Sequence, residues 1–175
     1  MRDADVNLYD HDRLKKEFGP FADGAGADIP GRAEHELVGD PYRRMLAETA
    51  KIVNYQWRQE IDRSALKGFL FHGGVGVGKT TMGKRLTYEL CRLFGDDGNQ
   101  ATRQNEVVLI LIDGSDIARG RYGESEEQLA ELFQYAREGE SHDHHHHEDG
   151  PIRRTIMLFD DVESLFLTRS SSGAK

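Results

Sequence analysis

The sequence lacks the features on which secreted and membrane-embedded proteins depend. Cys91 is the single cysteine among 175 residues, so no disulfide can form within the chain and a disulfide-built secreted scaffold is excluded. The longest unbroken aliphatic run, residues 107–112, is much too short to cross a membrane. Aspartates at positions 3 and 5 stand where a signal peptide needs an apolar stretch. We therefore expect a soluble protein of the cytoplasm or another intracellular compartment.

An excess of positive charge is also missing. Lysine and arginine number 23 and aspartate and glutamate 31, which gives a net charge of −8. A free-standing nucleic-acid binder needs a basic face to meet phosphates, so this balance argues against that class and leaves room only for a local basic groove. Hydrophobic residues make up 37% of the chain, which is enough for the core of one domain.

The first 39 residues contain few apolar side chains and several glycines and prolines. Such a composition predicts a flexible, acidic lead-in, residues 1–39, to a domain that spans residues 40–175. The alternative is a docking arm that packs on a neighbouring subunit.

Apolar spacing over the rest of the chain predicts alternating helices and strands. Asp40 and Pro41 are typical of a helix start, and Ser125 begins a capping box ahead of another helix. Short apolar runs that end at glycines or aspartates are typical of buried parallel strands. The predicted elements are helices from 40 to between 58 and 62, at 80–94 and from 125 onward, and strands at 67–72, 107–112 and 155–159. Their order predicts an α/β fold with a parallel sheet flanked by helices.

A phosphate-binding loop stands between a predicted strand and a predicted helix. Residues 73–80 have the sequence GGVGVGKT and fit the pattern G-x-x-x-x-G-K-[ST]. Glycines let successive backbone N–H groups point toward phosphate oxygens, and the following helix adds positive potential at its N-terminus. Lys79 would bring a charge to the β- and γ-phosphates of ATP, and the Thr80 hydroxyl would bind Mg²⁺. The residues predicted to contact the nucleotide are Gly74, Val75, Gly76, Val77, Gly78, Lys79, Thr80 and Thr81.

Two aspartates at the end of the last predicted strand supply the second half of such a site. The run IMLFDD covers residues 156–161, so Asp160 and Asp161 follow a buried strand. Asp160 is predicted to hold Mg²⁺ through water, beside Thr80. Asp161 stands where a catalytic acid would polarise the attacking water. We therefore predict Lys79, Asp160 and Asp161 as catalytic residues.

These motifs, in this order, resemble those of AAA-family ATPases. The resemblance implies a P-loop ATPase fold and Mg²⁺-ATP hydrolysis that drives the remodelling or unfolding of proteins by a ring, usually of six subunits. It also implies that Arg121 and Tyr122 lie in a pore loop that grips a polypeptide substrate. It extends over about residues 36–170 and includes KGFLFHG at 67–73, IDGS at 112–115, RYGESE at 121–126, ELF at 131–133 and DDVESL at 160–165.

The chain departs from the family pattern in several places. Gly74, Val75 and Val77 stand where the family tends to have proline, proline and threonine. Asp161 stands where the family has glutamate. Because a catalytic group displaced by about 1 Å can cost about 10²-fold in rate, we expect slow hydrolysis with retained binding.

Several family segments have no counterpart in the sequence. The family's polar sensor, helical lid and a strand that lies between the phosphate-loop strand and the acidic strand would follow residue 175. We therefore expect a truncated module, in which the predicted strands cannot form the usual continuous sheet. The alternative is that the gap in the sheet is filled in an unusual way.

Other interpretations stand beside the ATPase. A nucleotide-gated binding or assembly module with little turnover would fit Asp161 and the missing segments. A small-molecule P-loop kinase shares the glycine loop but leaves residues 122–137 unexplained. Residues 138–150 are rich in histidine and acidic residues, which predicts a solvated loop, with zinc or nickel binding as the alternative.

Overall fold

The computed structural model of the chain describes residues 7–18, 40–61, 63–95, 105–118, 124–141 and 152–164. Every predicted element except the strand at 67–72 is present within a few residues of its predicted bounds. In chain order the elements are β1 Asn7–Tyr9, α1 His11–Phe18, α2 Asp40–Arg58, α3 Lys79–Gly95, β2 Glu106–Asp113, α4 Gly114–Ala118, α5 Glu124–Ser141 and β3 Arg153–Asp160.

The strands form a three-stranded sheet in the order β1-β2-β3. β1 is antiparallel to β2, and β2 is parallel to β3. The parallel ladder keeps one register from the Glu106–Arg153 pair to the Asp113–Asp160 pair. The carboxyl ends of β2 and β3 therefore lie side by side at one edge, which is where open α/β sheets place ligands.

Successive side chains of β2 and β3 point to opposite faces of the sheet. Apolar side chains occur on both faces, and helices cover both. On one face, α2 and α3 pack through a shared core of Leu46, Ala50, Val53, Met82, Leu86 and Leu90. On the other face, Ile110 and Ile112 pack with Ile117 of α4 and with half-buried residues of α5. None of the helices in the described part of the chain is both long and apolar enough to cross a membrane.

The strand predicted at 67–72 is not formed. This segment has no regular secondary structure, and the Leu70 side chain is 84% exposed. A strand needs partners for its backbone N–H and C=O groups. The resemblance places another strand between this segment and β3, and none of the described residues fills that place. Phe71 still packs against the core shared by α2 and α3, so the segment lies beside that helix layer.

The prediction that residues 1–39 form a flexible lead-in is wrong for residues 7–18. We call residues 7–18 the arm. β1 extends the sheet beyond β2, and α1 buries Leu14 and Phe18 against α3 and β2. Arg85 of α3 donates a hydrogen bond to the Phe18 carbonyl at 3.1 Å. The arm packs on its own chain because its few apolar residues have helical spacing and share one face. The rest of the lead-in lies outside the described residues.

Cys91 belongs to the core. Its thiol donates to the Val107 carbonyl at 3.5 Å, between α3 and β2. Burial raises the pKa of the Cys91 thiol to about 12, so the thiol stays protonated at neutral pH and is a poor nucleophile. This cysteine therefore serves packing rather than chemistry.

The packing of the arm generates a stability prediction. Leu14→Ala removes a fully buried side chain and should lower the free energy of unfolding by about 2–5 kcal/mol. Lys15→Ala, an exposed change in the same helix, is the matched control and should change it by less than about 0.5 kcal/mol. Urea unfolding of both variants measures the difference. Equal stability of the two variants would show that the arm does not pack.

Candidate functional site

The phosphate-loop sequence forms a turn that leads directly into α3. Gly76 and Gly78 have φ angles of 77° and 86°, in the left-handed region that favours glycine. α3 begins at the next residue, Lys79, so the unpaired N–H groups of its first turn lie at the end of the loop. The loop therefore presents backbone donors and the positive end of a helix dipole, as an anion site requires.

Lys79 lies across this loop. Its ammonium group donates hydrogen bonds to the carbonyl of Gly73 at 3.0 Å and to that of Gly74 at 2.9 Å. The charge is thus held beside the loop backbone, within reach of an anion bound there. Of the other predicted contact residues, Val75 and Val77 turn their side chains outward, with exposed fractions of 102% and 64%.

The structure brings Thr80 and Asp160 together. The Thr80 hydroxyl donates to Asp160 Oδ2 at 2.8 Å, across 80 residues of sequence. Thr80 lies in the first turn of α3, and Asp160 is the last residue of β3. Two predicted metal-binding residues therefore meet where the phosphate loop ends and the sheet edge begins.

A glycine in α3 packs directly against β3 near this contact. A Cβ built on Gly83 would lie 2.8 Å and 2.9 Å from the two methyl carbons of Leu158. Gly83 is about one helical turn after Thr80, and Leu158 is two residues before Asp160. The close approach of α3 to β3 at this point therefore brings the hydroxyl within hydrogen-bonding distance of the carboxylate.

Asp161 follows β3 in a left-handed conformation, with a φ angle of 50°. Its backbone N–H donates to Asp160 Oδ1 at 3.2 Å. The Ser164 hydroxyl donates to Asp161 Oδ2. On the other side lies Gly114, where an added Cβ would collide with the carbonyl oxygen of Asp161. Asp161 is therefore held close to the end of β2, and its side chain is bound to Ser164 in the turn that follows β3.

The prediction from sequence missed Gly83, Gly114 and Ser164. Ser164 and Gly114 stand within segments that resemble family motifs, but no role could be assigned to either from the pattern alone. Gly83 carried no signal except as a glycine inside a helix, which often marks close packing. Arg121, Tyr122 and residues 142–150 lie outside the described residues, so the pore-loop and histidine-run predictions stay predictions.

The oxygens at this site suit Mg²⁺. Thr80 and Asp160 offer hydroxyl and carboxylate oxygens, the ligand types that Mg²⁺ prefers. No group of three or more histidine, cysteine, aspartate or glutamate residues that could hold a metal occurs in the part of the chain that the structure describes. Phosphate oxygens and water would complete the coordination shell, as is usual for Mg²⁺ beside a bound nucleotide.

Several known proteins are similar to the chain in sequence. Proteins named "Proteasome-associated ATPase" from Jonesia denitrificans and Streptomyces avermitilis are 31% and 35% identical to the chain over 107 and 105 residues. A Corynebacterium efficiens protein named "AAA ATPase forming ring-shaped complexes" is 33% identical over 105 residues. These alignments cover 60–61% of this chain but only 16–18% of the relatives' own lengths.

No solved structure gives a significant match to the chain. The model of the ATPase family associated with various cellular activities (AAA) matches residues 69–175, which include the phosphate loop, Asp160 and Asp161. Because this match covers more than half of the sequence, the chain belongs to the AAA family.

Proposed function

We propose that the chain binds ATP with Mg²⁺ and hydrolyses it between the phosphate loop and the end of β3. The observation that carries this proposal is the 2.8 Å hydrogen bond from Thr80 Oγ1 to Asp160 Oδ2. It joins the loop that suits phosphates to the carboxylate that suits a metal. Each half alone is a common feature, but their contact makes one site for a metal-bound nucleotide.

The phosphates would bind to the loop backbone and to Lys79. The Lys79 ammonium now donates to the carbonyls of Gly73 and Gly74. Binding would exchange these bonds to neutral carbonyls for bonds to anionic phosphate oxygens, in which donor and acceptor are both charged and which are stronger. Thr80 and Asp160 would hold Mg²⁺, which when bound neutralises charge on the phosphates. The N-terminus of α3 adds to the same effect.

Asp161 is the group that we assign to the attacking water. A carboxylate can accept a hydrogen bond from water, orient it and increase its nucleophilicity. The aspartate side chain is one methylene shorter than glutamate, so its carboxylate reaches less far from β3. This supports slow hydrolysis with undiminished binding.

We also propose that the chain acts in a ring, hexameric by family resemblance, that remodels or unfolds proteins. The support is the similarity to proteins named as ring-forming or proteasome-associated ATPases. Arg121 and Tyr122 are our candidates for the residues that grip the polypeptide. Their assignment rests on sequence alone.

A second candidate function is a nucleotide-gated binding or assembly module with little turnover. Asp161 favours it, because a carboxylate one methylene shorter than that of glutamate is poorly suited to reach a water at the γ-phosphate. ATP would then serve to order loops and stabilise contacts between subunits. The rate of phosphate release separates the two candidates.

Lys79→Ala tests the binding site itself. The change removes the charge that the phosphates would meet, so Mg²⁺-ATP binding should weaken by about tenfold or more and phosphate release should be lost. Lys67→Ala removes an exposed lysine just before the loop and should leave both unchanged. Calorimetry and phosphate release from the 175-residue chain give the two readouts. Equal behaviour of the two variants would contradict the proposal.

Asp161→Glu tests the role of the Asp161 carboxylate in hydrolysis. The longer side chain should raise turnover by about tenfold or more, because it restores roughly 1 Å of reach toward the water. The affinity for Mg²⁺-ATP should stay unchanged, since Asp161 is not assigned to binding. Steady-state phosphate release at saturating ATP measures the effect. Unchanged turnover would show that the length of this carboxylate does not limit hydrolysis.

A further inference from the structure

The turn that follows β3 holds Asp161 through Ser164. The Ser164 N–H donates to the carbonyl of Asp161 at 3.0 Å, and the Ser164 hydroxyl donates to Asp161 Oδ2. One residue therefore contacts both the backbone and the side chain of the second aspartate. A three-residue separation within a turn brings these groups together, because the chain reverses direction between them.

The types of residue in this turn make Ser164 the suitable donor. Val162 is apolar, and the Glu163 side chain can only accept hydrogen bonds when it is ionised. Ser164 has a hydroxyl one carbon from the backbone, which matches the short side chain of aspartate. A glutamate at position 161 would carry its carboxylate beyond this hydroxyl.

The backbone of Asp161 is already fixed from other directions. Its N–H is bound to Asp160 Oδ1, and its carbonyl oxygen lies against Gly114, where a Cβ would collide with it. The freedom left to this residue lies in its side-chain torsions. Asp161 is exposed, so packing does not restrict those torsions. A hydrogen bond to the carboxylate can restrict them.

We propose that Ser164 is a positioning residue for ATP hydrolysis, because its hydroxyl orients the Asp161 carboxylate. The bond through Oδ2 leaves Oδ1 as the oxygen that polarises the attacking water. Ser164 itself contacts neither the nucleotide nor the water. The inference rests on the proposed function, in which Asp161 is the acid of an ATPase.

Ser164→Ala tests this role through kinetics. We expect kcat for ATP to fall by about tenfold, the effect of losing one hydrogen bond to a charged group. KM and the affinity for Mg²⁺-ADP should not change, because Ser164 makes no contact with the nucleotide. Ser164→Thr keeps the hydroxyl and should restore kcat. Ser64→Ala, an exposed serine distant in sequence, is the matched control.

The same substitution in other backgrounds separates positioning from structure. In Asp161→Ala and in Asp161→Glu, Ser164→Ala should have no further effect on kcat, because the bond that it removes is no longer present. A similar loss of kcat in these backgrounds would overturn the inference. So would a fall in kcat accompanied by a lower melting temperature and weaker nucleotide binding, or a Ser164→Ala enzyme as fast as the unaltered chain.

A second measurement does not depend on turnover. Three-bond NMR couplings report the χ1 rotamer of Asp161, which should be single in the unaltered chain and averaged in Ser164→Ala. Averaging in the unaltered chain would overturn the inference. Failure of the proposed function has a different signature, since Lys79→Ala would then release phosphate as fast as the unaltered chain.

Discussion

The close contact between the start of α3 and the end of β3 is the constraint on which the site depends. A Cβ on Gly83 would lie within 2.9 Å of both Leu158 methyl carbons, so the helix packs closely on the strand at this point. At this distance Thr80 can donate to Asp160. The loop, the helix N-terminus and the carboxylate are thereby placed around one point. The chemistry that we propose follows from this packing rather than from any residue alone.

The two halves of the site, the phosphate loop and the aspartates at the end of β3, are supported differently by the sheet. The arm closes the outer edge of β2, and the β2–β3 ladder fixes the aspartates in register. The phosphate loop has no such support, because residues 67–72 do not join the sheet. α3, packed on α2 and β3, is therefore the element that carries the loop to its metal-binding partner.

Much of this arrangement could be predicted from local pattern. The glycine loop that leads to Lys79 predicts the start of a helix. The apolar run before Asp160 predicts a strand and the point where it ends. Contacts made across the chain could not be predicted in this way. Leu70 belongs to a strand-like run, yet whether it forms a strand depends on a partner strand that local sequence does not describe. The composition of the arm predicts flexibility because its apolar residues are few, but Tyr9, Leu14 and Phe18 are all buried.

The Mg²⁺ dependence of ATP-analogue binding tests the central claim most directly. We would measure the affinity for a non-hydrolysable analogue with and without Mg²⁺ in the unaltered chain, in Thr80→Val, in Asp160→Asn and in the double variant. If the two residues form one metal site, Mg²⁺ should tighten binding by about tenfold or more in the unaltered chain. Each single variant should lose that gain, and the double variant should lose no more. An undiminished gain in both single variants would contradict the account.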